Sequence, residues 1–158
     1  MRWYRLAAKQ AYVGAQYNLG GLYARGQGVA QDYKAAARWY RLAAKQGYAA
    51  AQYSLGIMYD TGQGAPQDYK AAVKWYRLAA EQGYASAQGN LGVMYANGHG
   101  VPQDNLRGYM WFSIAAANGE NVRASKNRNS IAESMFATGI ETAQRLAHEC
   151  MAKNYKGC

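Results

Sequence analysis

The sequence is poor in several residue types, and each shortage excludes a class of protein. Only two prolines occur in 158 residues, which favours helices because proline cannot donate a hydrogen bond inside one. No cysteine precedes Cys150, so the chain is not a small scaffold held together by many disulfides. No run of 18 apolar residues is present, and the sequence therefore predicts no transmembrane helix. Acidic residues are scarce as well, since nine Asp and Glu stand against 18 Lys and Arg, and the resulting positive charge admits an acidic partner.

A tandem repeat dominates the sequence. The motif Trp-Tyr-Arg-Leu-Ala-Ala occurs three times and once more in a weaker form, at residues 3–8, 39–44, 75–80 and 111–116. Each copy begins 36 residues after the one before it, and residues 3–38 match residues 39–74 at 24 of 36 positions. A fixed period of this length is typical of arrays in which each repeat is one small structural motif that stacks on its neighbours.

Signals for the ends of helices recur in every repeat. An aspartate stands where its carboxylate can accept hydrogen bonds from the first free N–H groups of a helix, at Asp32, Asp68 and Asp104. A glycine follows the same helix where a left-handed backbone is wanted, at Gly47, Gly83 and Gly119. These signals predict helix pairs near residues 14–24 and 32–46, 50–60 and 68–82, and 86–96 and 104–118.

The second helix of each repeat is predicted to be amphipathic. At 100° per residue, the helix after Asp32 carries a basic stripe that consists of Lys34, Arg38, Arg41 and Lys45. Ala36, Trp39 and Tyr40 fall on the opposite side, so we expect them to be buried. The same argument places Trp75, which lies 36 residues after Trp39, at a buried contact between repeats.

The first helix of each repeat is shorter and carries the expected binding surface. Ala51, Leu55 and Met58 share one stripe and are expected in the core. First helices usually line the concave side of a helical solenoid, which predicts a protein-binding strip formed by Tyr17, Tyr53, Ile57, Asp60 and Val93. The alternative for Tyr53 is structural, with its ring packed against the first helix of the next repeat.

Glycine also recurs inside the first helices, at Gly20, Gly56 and Gly92. Glycine in a helix interior costs about 1 kcal/mol relative to alanine. We expect this cost to be offset by a neighbouring helix that approaches closely, with no side chain in between.

The fold class follows from the pairing of helices. Two amphipathic helices cannot bury both apolar sides alone, so successive repeats must stack on each other. We expect an all-α protein, a right-handed α-solenoid of 36-residue helix-turn-helix repeats with a C-terminal helical cap. The array is assigned to residues 1–119, with a half repeat at 1–10 and full repeats at 11–46, 47–82 and 83–119.

Residues 120–158 are assigned to the C-terminal helical cap, which holds the cysteine pair. One helix is expected over residues 121–136. Thr138 and Glu141 form a Thr-x-x-Glu capping box, which predicts a last helix over residues 140–153. The buried face of that helix is expected to comprise Ala143, Leu146, Ala147 and Cys150. Such a cap shields the last apolar surface of a solenoid.

Three ordered motifs carry a family resemblance, namely Ala-Gln-x-x-Leu-Gly-x-x-Tyr, Gly-x-Gly-Val-x-Gln-Asp and Ala-x-x-Trp-Tyr-x-x-Ala-Ala-x-Gln-Gly. In this order they resemble the Sel-one-like repeat (SLR) family, which is related to the tetratricopeptide repeats. The tail, with Trp-Phe-Ser at 111–113 and Ala-Gln-Arg-Leu-Ala at 143–147, is similar to the ends of some bacterial members. The resemblance implies a non-enzymatic scaffold or adaptor that binds a protein or peptide on its concave face and uses no cofactor.

The start of the sequence departs from the family pattern. Residues 1–10 begin within a second helix that lacks its first-helix partner, whereas natural arrays normally begin with a cap or a signal. We expect either a fragment of a longer array or a missing half that another copy supplies, through self-association.

The basic stripe leaves an alternative function open. It recurs in register along one face of the second helices, where it could attract an anionic polymer or a membrane surface through counterion release. It could equally be a solvated face that keeps a repeat protein in solution. Aromatic residues lie on the opposite side of the same helices, which argues against nucleic acid because bases stack on aromatic rings beside the basic groups.

The sequence offers no arrangement suited to catalysis or metal binding. His99 and His148 are far apart in the sequence, and His99 is expected to be an exposed turn residue. His148, Glu149 and Cys150 are consecutive, and consecutive helical residues point about 100° apart, so they are not predicted to share a metal ion. No serine lies in a motif that suggests nucleophilic catalysis. We therefore expect no enzymatic activity and no metal.

Cys150 and Cys158 are predicted to form a disulfide. Eight residues of unbroken helix would separate their Cα atoms by about 12 Å, which exceeds the roughly 4.4–6.8 Å that a disulfide spans. The helix must therefore end near Lys153, and Gly157 allows the chain to fold back. The alternative is two free thiols in a cytoplasmic protein. A disulfide implies a periplasmic or secreted location, which the resemblance also implies because relatives with this tail are commonly exported.

Overall fold

The computed structural model describes residues 2–119 and 121–158, with residues 2–5 described by their backbone. Throughout these residues the regular secondary structure is helical, and no strand occurs among them. The helices are α1 (Arg2–Lys9), α2 (Val13–Arg25), α3 (Tyr33–Lys45), α4 (Ala49–Thr61), α5 (Tyr69–Ala80), α6 (Ala85–Asn97), α7 (Asn105–Ala117), α8 (Val122–Ala132) and α9 (Ala137–Ala152). The prediction of an all-α fold is confirmed, and the six helices of the predicted pairs begin and end within two residues of their expected positions.

The chain forms two compact units, Met1–Trp75 and Tyr76–Cys158, which we call the N-terminal half and the C-terminal half. The N-terminal half contains α1 to α4 and the beginning of α5, and α2 packs against both α1 and α3. The C-terminal half contains the end of α5 and helices α6 to α9, and α7 packs against α6, α8 and α9. The second helix of the last repeat is therefore enclosed by three other helices.

The core of the N-terminal half confirms the predicted apolar stripes. Ala51, Leu55 and Met58 of α4 are buried, as are Ala36 and Tyr40 of α3. They belong to one apolar cluster in which small alanines lie beside large rings and aliphatic side chains. This mixture allows the helices to approach closely, because alanine adds little volume at each helix contact.

The tryptophan prediction is correct only in part for the first two complete repeats, because burial is incomplete although Trp75 packs against the core cluster. Trp39 and Trp75 are half-buried, whereas the tyrosines that follow them, Tyr40 and Tyr76, are buried. One residue turns a helix by about 100°, so the centre of the buried face lies on the tyrosine and its edge lies on the tryptophan. Among the three complete repeats, the last is the one whose tryptophan, Trp111, is buried.

Two helix glycines, Gly20 and Gly92, lie against aromatic rings, and at Gly92 the backbone carbonyl of Gly108 also comes within 3.2 Å of the position a Cβ atom would take, as expected for a closely approaching helix. A Cβ atom on Gly20 would lie 2.7 Å from a ring carbon of Tyr40. A Cβ atom on Gly92 would lie at the same distance of 2.7 Å from a ring carbon of Phe112. A ring on the second helix thus lies against the first helix of its own repeat, at the one position that carries no side chain.

The predicted N-caps are confirmed. The Oδ1 atom of an aspartate accepts a hydrogen bond from the backbone N–H three residues later, at distances of 2.9 Å for Asp32, 3.0 Å for Asp68 and 2.9 Å for Asp104. Gly47 and Gly83 have φ angles of +85° and +80°, as expected for left-handed residues after a helix. Gly119 is an exception, because its φ is not positive. It lies where the 36-residue period ends and the chain leads into α8.

Glutamine completes each turn between paired helices. Its Nε2 atom donates a hydrogen bond to a carbonyl near the end of the first helix, in the pairs Gln31–Ala24, Gln67–Asp60 and Gln103–Ala96. The distances are 2.8, 2.7 and 2.8 Å, respectively. The Gln-Asp step of the repeat therefore serves two helices, since glutamine satisfies the end of one and aspartate caps the start of the next.

The C-terminal cap differs in detail from its prediction. The first cap helix ends at Ala132 rather than near residue 136, and Asn121 caps its start by accepting a hydrogen bond from Ala124 N–H at 3.0 Å. The Thr-x-x-Glu capping box is wrong, because α9 begins at Ala137 and Thr138 lies inside the helix. In the predicted face of α9, Ala143, Ala147 and Cys150 are buried and Leu146 is half-buried.

The structure contains the predicted disulfide between Cys150 and Cys158, with Cα atoms 5.8 Å apart. The helix ends at Ala152, and the chain then reverses through Asn154 and Tyr155, which both have positive φ angles. The reversal has a further anchor, because the Tyr155 hydroxyl donates a hydrogen bond of 2.7 Å to Oδ1 of Asn118. The disulfide and this hydrogen bond together hold the tail against the C-terminal half.

Candidate functional site

The predicted binding residues are divided between the two halves. Tyr17, Tyr53, Ile57 and Asp60 lie on α2 and α4 in the N-terminal half, and all four are half-buried. Val93 lies on α6 in the C-terminal half and is also half-buried.

Tyr17 has a clear packing role. Its ring centroid lies 5.6 Å from that of Tyr40 and 5.2 Å from that of Tyr48, both in tilted arrangements. Aromatic pairs at such distances contribute to packing beyond the area that they bury. Burial raises the pKa of Tyr40, and the neighbouring Tyr17 raises it further, so the Tyr40 hydroxyl is uncharged at neutral pH.

Val93 lines an open groove of about 480 Å³ in the C-terminal half. Most of the lining residues belong to α6 and α8, and α7 contributes Asn105 and Phe112. The lining residues are Val93, Ala96, Asn97, Gln103, Asn105, Phe112, Arg123, Asn127, Ser130, Ile131 and Ser134. Helix α8 occupies the place in the repeat where the first helix of a further repeat would stand, so the groove lies between two first-helix positions.

One stripe of α8 and the turn after it supply most of the polar groups of the groove. Arg123, Asn127, Ser130 and Ile131 of α8 follow the spacing of three and four residues that defines a helix face, and Ser134 lies in the turn that follows. These residues were not predicted from the sequence, because the 36-residue period ends before α8 and no repeat motif marks their equivalence to residues of the first helices. Their helical spacing was the signal that could have found them.

The groove combines a few apolar side chains with polar side chains that have no other partner among the described residues. Val93 and Ile131 are half-buried and provide apolar surface, whereas Phe112 is only 2% exposed. The side chains of Arg123, Asn127 and Asn97 form no hydrogen bond or ion pair with another described residue. A carboxamide offers both a donor and an acceptor, and a guanidinium offers several donors. The described lining contains no acidic residue. These groups suit a polypeptide segment that presents its backbone amides and a carboxylate.

Other groups in the groove have structural partners. The Asn105 Nδ2 atom donates a hydrogen bond of 3.2 Å to Oγ of Ser134, and that hydroxyl donates one of 2.8 Å to the Ile131 carbonyl. These bonds fix the end of α8 against the start of α7. Asn105 and Ser134 are therefore engaged with each other, whereas the side chains of Arg123 and Asn127 have no partner among the residues that the structure describes.

A second feature that the sequence analysis missed is a set of buried glutamines. Gln16, Gln52 and Gln88 are buried, and each Nε2 donates to the carbonyl of an alanine eight residues earlier, in the pairs Gln16–Ala8, Gln52–Ala44 and Gln88–Ala80. The Oε1 atom of Gln88 also accepts a hydrogen bond of 2.9 Å from Asn118. Buried amides require such partners, so the repeated Ala-Gln step is structural.

Part of the basic stripe is also structural. The Arg41 Nη2 atom donates a hydrogen bond of 2.9 Å to the Tyr59 hydroxyl, and Arg77 donates one of 2.7 Å to the Tyr95 hydroxyl. Each bond joins the second helix of one repeat to the first helix of the next. Arg41 therefore serves the packing of repeats, whereas Lys34, Arg38 and Lys45 point into solvent.

The candidate metal and catalytic groups do not form a site in the part of the chain that the structure describes. No group of three His, Cys, Asp or Glu side chains that could hold a metal ion is found there. His99 lies in the loop between α6 and α7, His148 lies on α9, and Cys150 is bound to Cys158. Among the same residues, no helix is both long and apolar enough to cross a bilayer.

Comparison with known proteins decides the family. The Sel1 repeat family matches residues 1–12, 13–48, 49–84 and 85–120. The chain belongs to the Sel1 repeat family. Each complete match begins at or next to the first residue of α2, α4 or α6. The resemblance drawn from the sequence is thereby confirmed.

Solved structures share the fold of this Sel1 repeat chain. One is c5321, a protective antigen present in uropathogenic Escherichia coli strains and displaying an SLR fold, with a TM-score of 0.75 and 29% identity over 98% of this chain. This chain spans 42% of the length of c5321. Another is a Sel1 repeat protein from Oxalobacter formigenes, with a TM-score of 0.72 and 37% identity over 80% of this chain and 95% of that one. No curated protein matches the sequence significantly.

Proposed function

We propose that this chain is a non-enzymatic scaffold that holds an extended peptide segment of a partner protein in the groove between α6 and α8. Sel1 repeat proteins are generally scaffolds for protein interactions and are typically not catalytic, which supports this proposal. The observation that carries it is an open groove in which the half-buried apolar residues Val93 and Ile131 lie beside polar side chains without a partner among the described residues, namely those of Arg123, Asn127 and Asn97. The ligand carboxylate would pair with Arg123, and the carboxamides would pair with the ligand backbone.

The predicted strip enters this proposal unevenly. Val93 is a wall of the groove and is a direct ligand contact in the proposal. Tyr53, Ile57 and Asp60 lie in the N-terminal half and are proposed as a separate partner surface of that half. Tyr17 has a smaller role, because its ring is already committed to Tyr40 and Tyr48.

The proposed function is tested by selecting a random peptide library against the full chain and measuring the affinity of the selected peptides. We expect Asn127→Ala and Arg123→Gln each to weaken binding by about tenfold, the effect of losing a hydrogen bond to a charged or backbone group. Asn129→Ala is the matched control, because Asn129 lies on the same helix and is exposed but does not line the groove. Selected peptides that bind all three variants equally well would place the site elsewhere.

We infer further that the protein works in an oxidising compartment, periplasmic or secreted. The disulfide supports this inference, because such bonds persist outside the cytoplasm and are rare within it. Protein from its native compartment should react with a thiol reagent only after reduction. Reaction of both cysteines before reduction would contradict the assignment.

A further inference from the structure

The same stripe of the second helix has opposite character in α3 and α7. We call one row of residues on α3 the α3 stripe; it consists of Lys34, Arg38, Leu42 and Lys45. Positions 72 residues later make up the α7 stripe, which consists of Leu106, Met110, Ile114 and Ala117. The three cations of the α3 stripe thus correspond to apolar residues in the α7 stripe. At the remaining position both helices carry a branched aliphatic residue, Leu42 or Ile114.

The middle of the α7 stripe is buried, whereas Leu106 is half-buried and Ala117 is exposed. Helix α9 packs against α7, and Met110 and Ile114 are only 4% and 0% exposed. Met110 and Leu106 line a small cavity together with Leu146 and Cys150 of α9. A hydrogen bond of 3.3 Å from Gln144 to the Tyr109 hydroxyl fixes the two helices beside this contact. Helix α9 therefore shows that another helix can pack on this face of the repeat.

The α3 stripe is open. Lys34, Arg38 and Lys45 are exposed and form no ion pair with any residue that the structure describes. Leu42, at the centre of these cations, is 45% exposed. A face that served only to keep the protein in solution would account for the cations but gains nothing from an exposed leucine. Leu6 and Leu78, at the same repeat position, are exposed to a similar degree.

We propose that the α3 stripe is a docking surface for an acidic amphipathic helix of a partner protein, seated on α3 as α9 is seated on α7. Small apolar residues of the partner would cover Leu42, and carboxylates on either side would pair with Lys34, Arg38 and Lys45. We expect an acidic helix because the α3 stripe is cationic, whereas α9 packs on the apolar α7 stripe at the equivalent positions. A single leucine within a row of cations offers too little apolar area for insertion into a membrane, and no aromatic side chain of the stripe could stack a base.

The probe is a synthetic 16-residue helical peptide with alanine and leucine on one face and glutamate on both flanks of that face. Its control has the same composition in a shuffled order that has no face, so both peptides carry the same charge. We expect the full chain to bind the amphipathic peptide at least about tenfold more tightly than the shuffled one, measured by fluorescence anisotropy. Equal affinities would overturn the proposal, because the attraction would then be unspecific charge.

Two variants locate the binding. Leu42→Ser and Arg38→Glu should each reduce the affinity for the amphipathic peptide to that of the shuffled one, without change in helical content because both positions are exposed. Lys126→Glu, an equal change of charge at an exposed position of α8 outside the groove, should have little effect. Binding to anionic vesicles or to duplex DNA that is stronger than binding to the peptide would also overturn the proposal. The groove variants Asn127→Ala and Arg123→Gln do not touch this face, so the two proposals can fail independently.

Discussion

Helices α3 and α7 occupy the same place in repeats that are 72 residues apart, and one stripe of their surfaces has opposite character. The contact with the first helix is repeated, since Tyr40 and Phe112 each lie against a helix glycine, Gly20 or Gly92, where an added Cβ atom would come within 2.7 Å of the ring. In that stripe, exposed cations of α3 become apolar residues of α7 beneath α9. The comparison teaches that ring-on-glycine packing defines the repeat, while its outer residues are set by what covers them.

The junction between repeats changes in the same coordinated way. Arg41 of α3 donates a hydrogen bond to Tyr59 of the next first helix. The equivalent residues 72 positions later are Ser113 and Ile131. Both members of the pair are replaced together, as expected when α8 takes the place of a first helix and its wall becomes part of the groove. Loss of only one partner would leave a polar group without its hydrogen bond.

The largest expected effect comes from exchanging one outer residue between the two helices. Met110→Arg places an unpaired cation beneath α9, which should destabilise the C-terminal half by about 3–5 kcal/mol or detach α9. The reverse exchange, Arg38→Met, lies on an exposed face and should change stability by no more than about 0.5 kcal/mol. Urea denaturation of both variants provides the measurement. Similar losses of unfolding free energy in both variants would contradict the assignment of a buried stripe to α7 and an exposed stripe to α3.

The tryptophans provide the next test. Trp111 is 1% exposed, so Trp111→Ala should cost about 3 kcal/mol. The lower end of the usual range applies because the buried Trp111 Nε1 has no hydrogen-bond partner among the described residues. The substitution therefore also removes the free-energy cost of burying an N–H group without a hydrogen bond. Trp39 is half-buried, and Trp39→Ala should cost roughly half as much. Thermal unfolding that ranks Trp39 above Trp111 would contradict the assignment of the buried faces.

Reduction of the disulfide should have a local and smaller effect. The loop between Cys150 and Cys158 is short, so the stabilisation from its closure is expected to be about 2–3 kcal/mol at most. Hydrogen exchange with and without reductant should show faster exchange in the amides of residues 140–158. This segment includes Tyr155, whose hydroxyl donates a hydrogen bond to Asn118. Amides of residues 47–82 should be nearly unaffected, because repeats interact mainly with their neighbours. Uniform loss of protection would show that the cap stabilises the whole chain.

The smallest expected effect concerns the hydrogen bond between repeats. Arg41→Ser and Tyr59→Ile each remove one partner, and the double variant reproduces the pair found 72 residues later. We expect a coupling energy of about 1 kcal/mol between the two positions in a double-mutant cycle. Additive effects of the two substitutions would indicate that the hydrogen bond contributes nothing to stability.

Much of the fold could be predicted from the sequence because the repeat presents each local signal several times. Asp32 and its equivalents are short polar residues before a helical pattern, and they cap helices as expected. The stripe of Ala51, Leu55 and Met58 gave the correct core of α4. The disulfide was predictable because only a chain reversal brings two cysteines eight residues apart within reach.

What could not be predicted depended on contacts between distant residues. The burial of Trp39 differs from that of Tyr40 by one residue of rotation, and composition alone does not decide which ring lies at the centre. The buried Gln16 and Gln88 looked like surface residues, because glutamine is mostly exposed in proteins. The groove was missed because α8 lies beyond the last regular period, so its wall residues had no counterparts to align with.

The central claim, that the groove between α6 and α8 is the peptide site, is tested most directly by hydrogen exchange of the full chain with and without a library-selected peptide. Bound peptide should slow exchange in the amides of α8 around residues 123–131 and in the end of α6 around residues 93–97, which line the groove. Exchange in α3 should remain unchanged. Protection that appears on α3 or α4 while α8 stays unprotected would contradict the account.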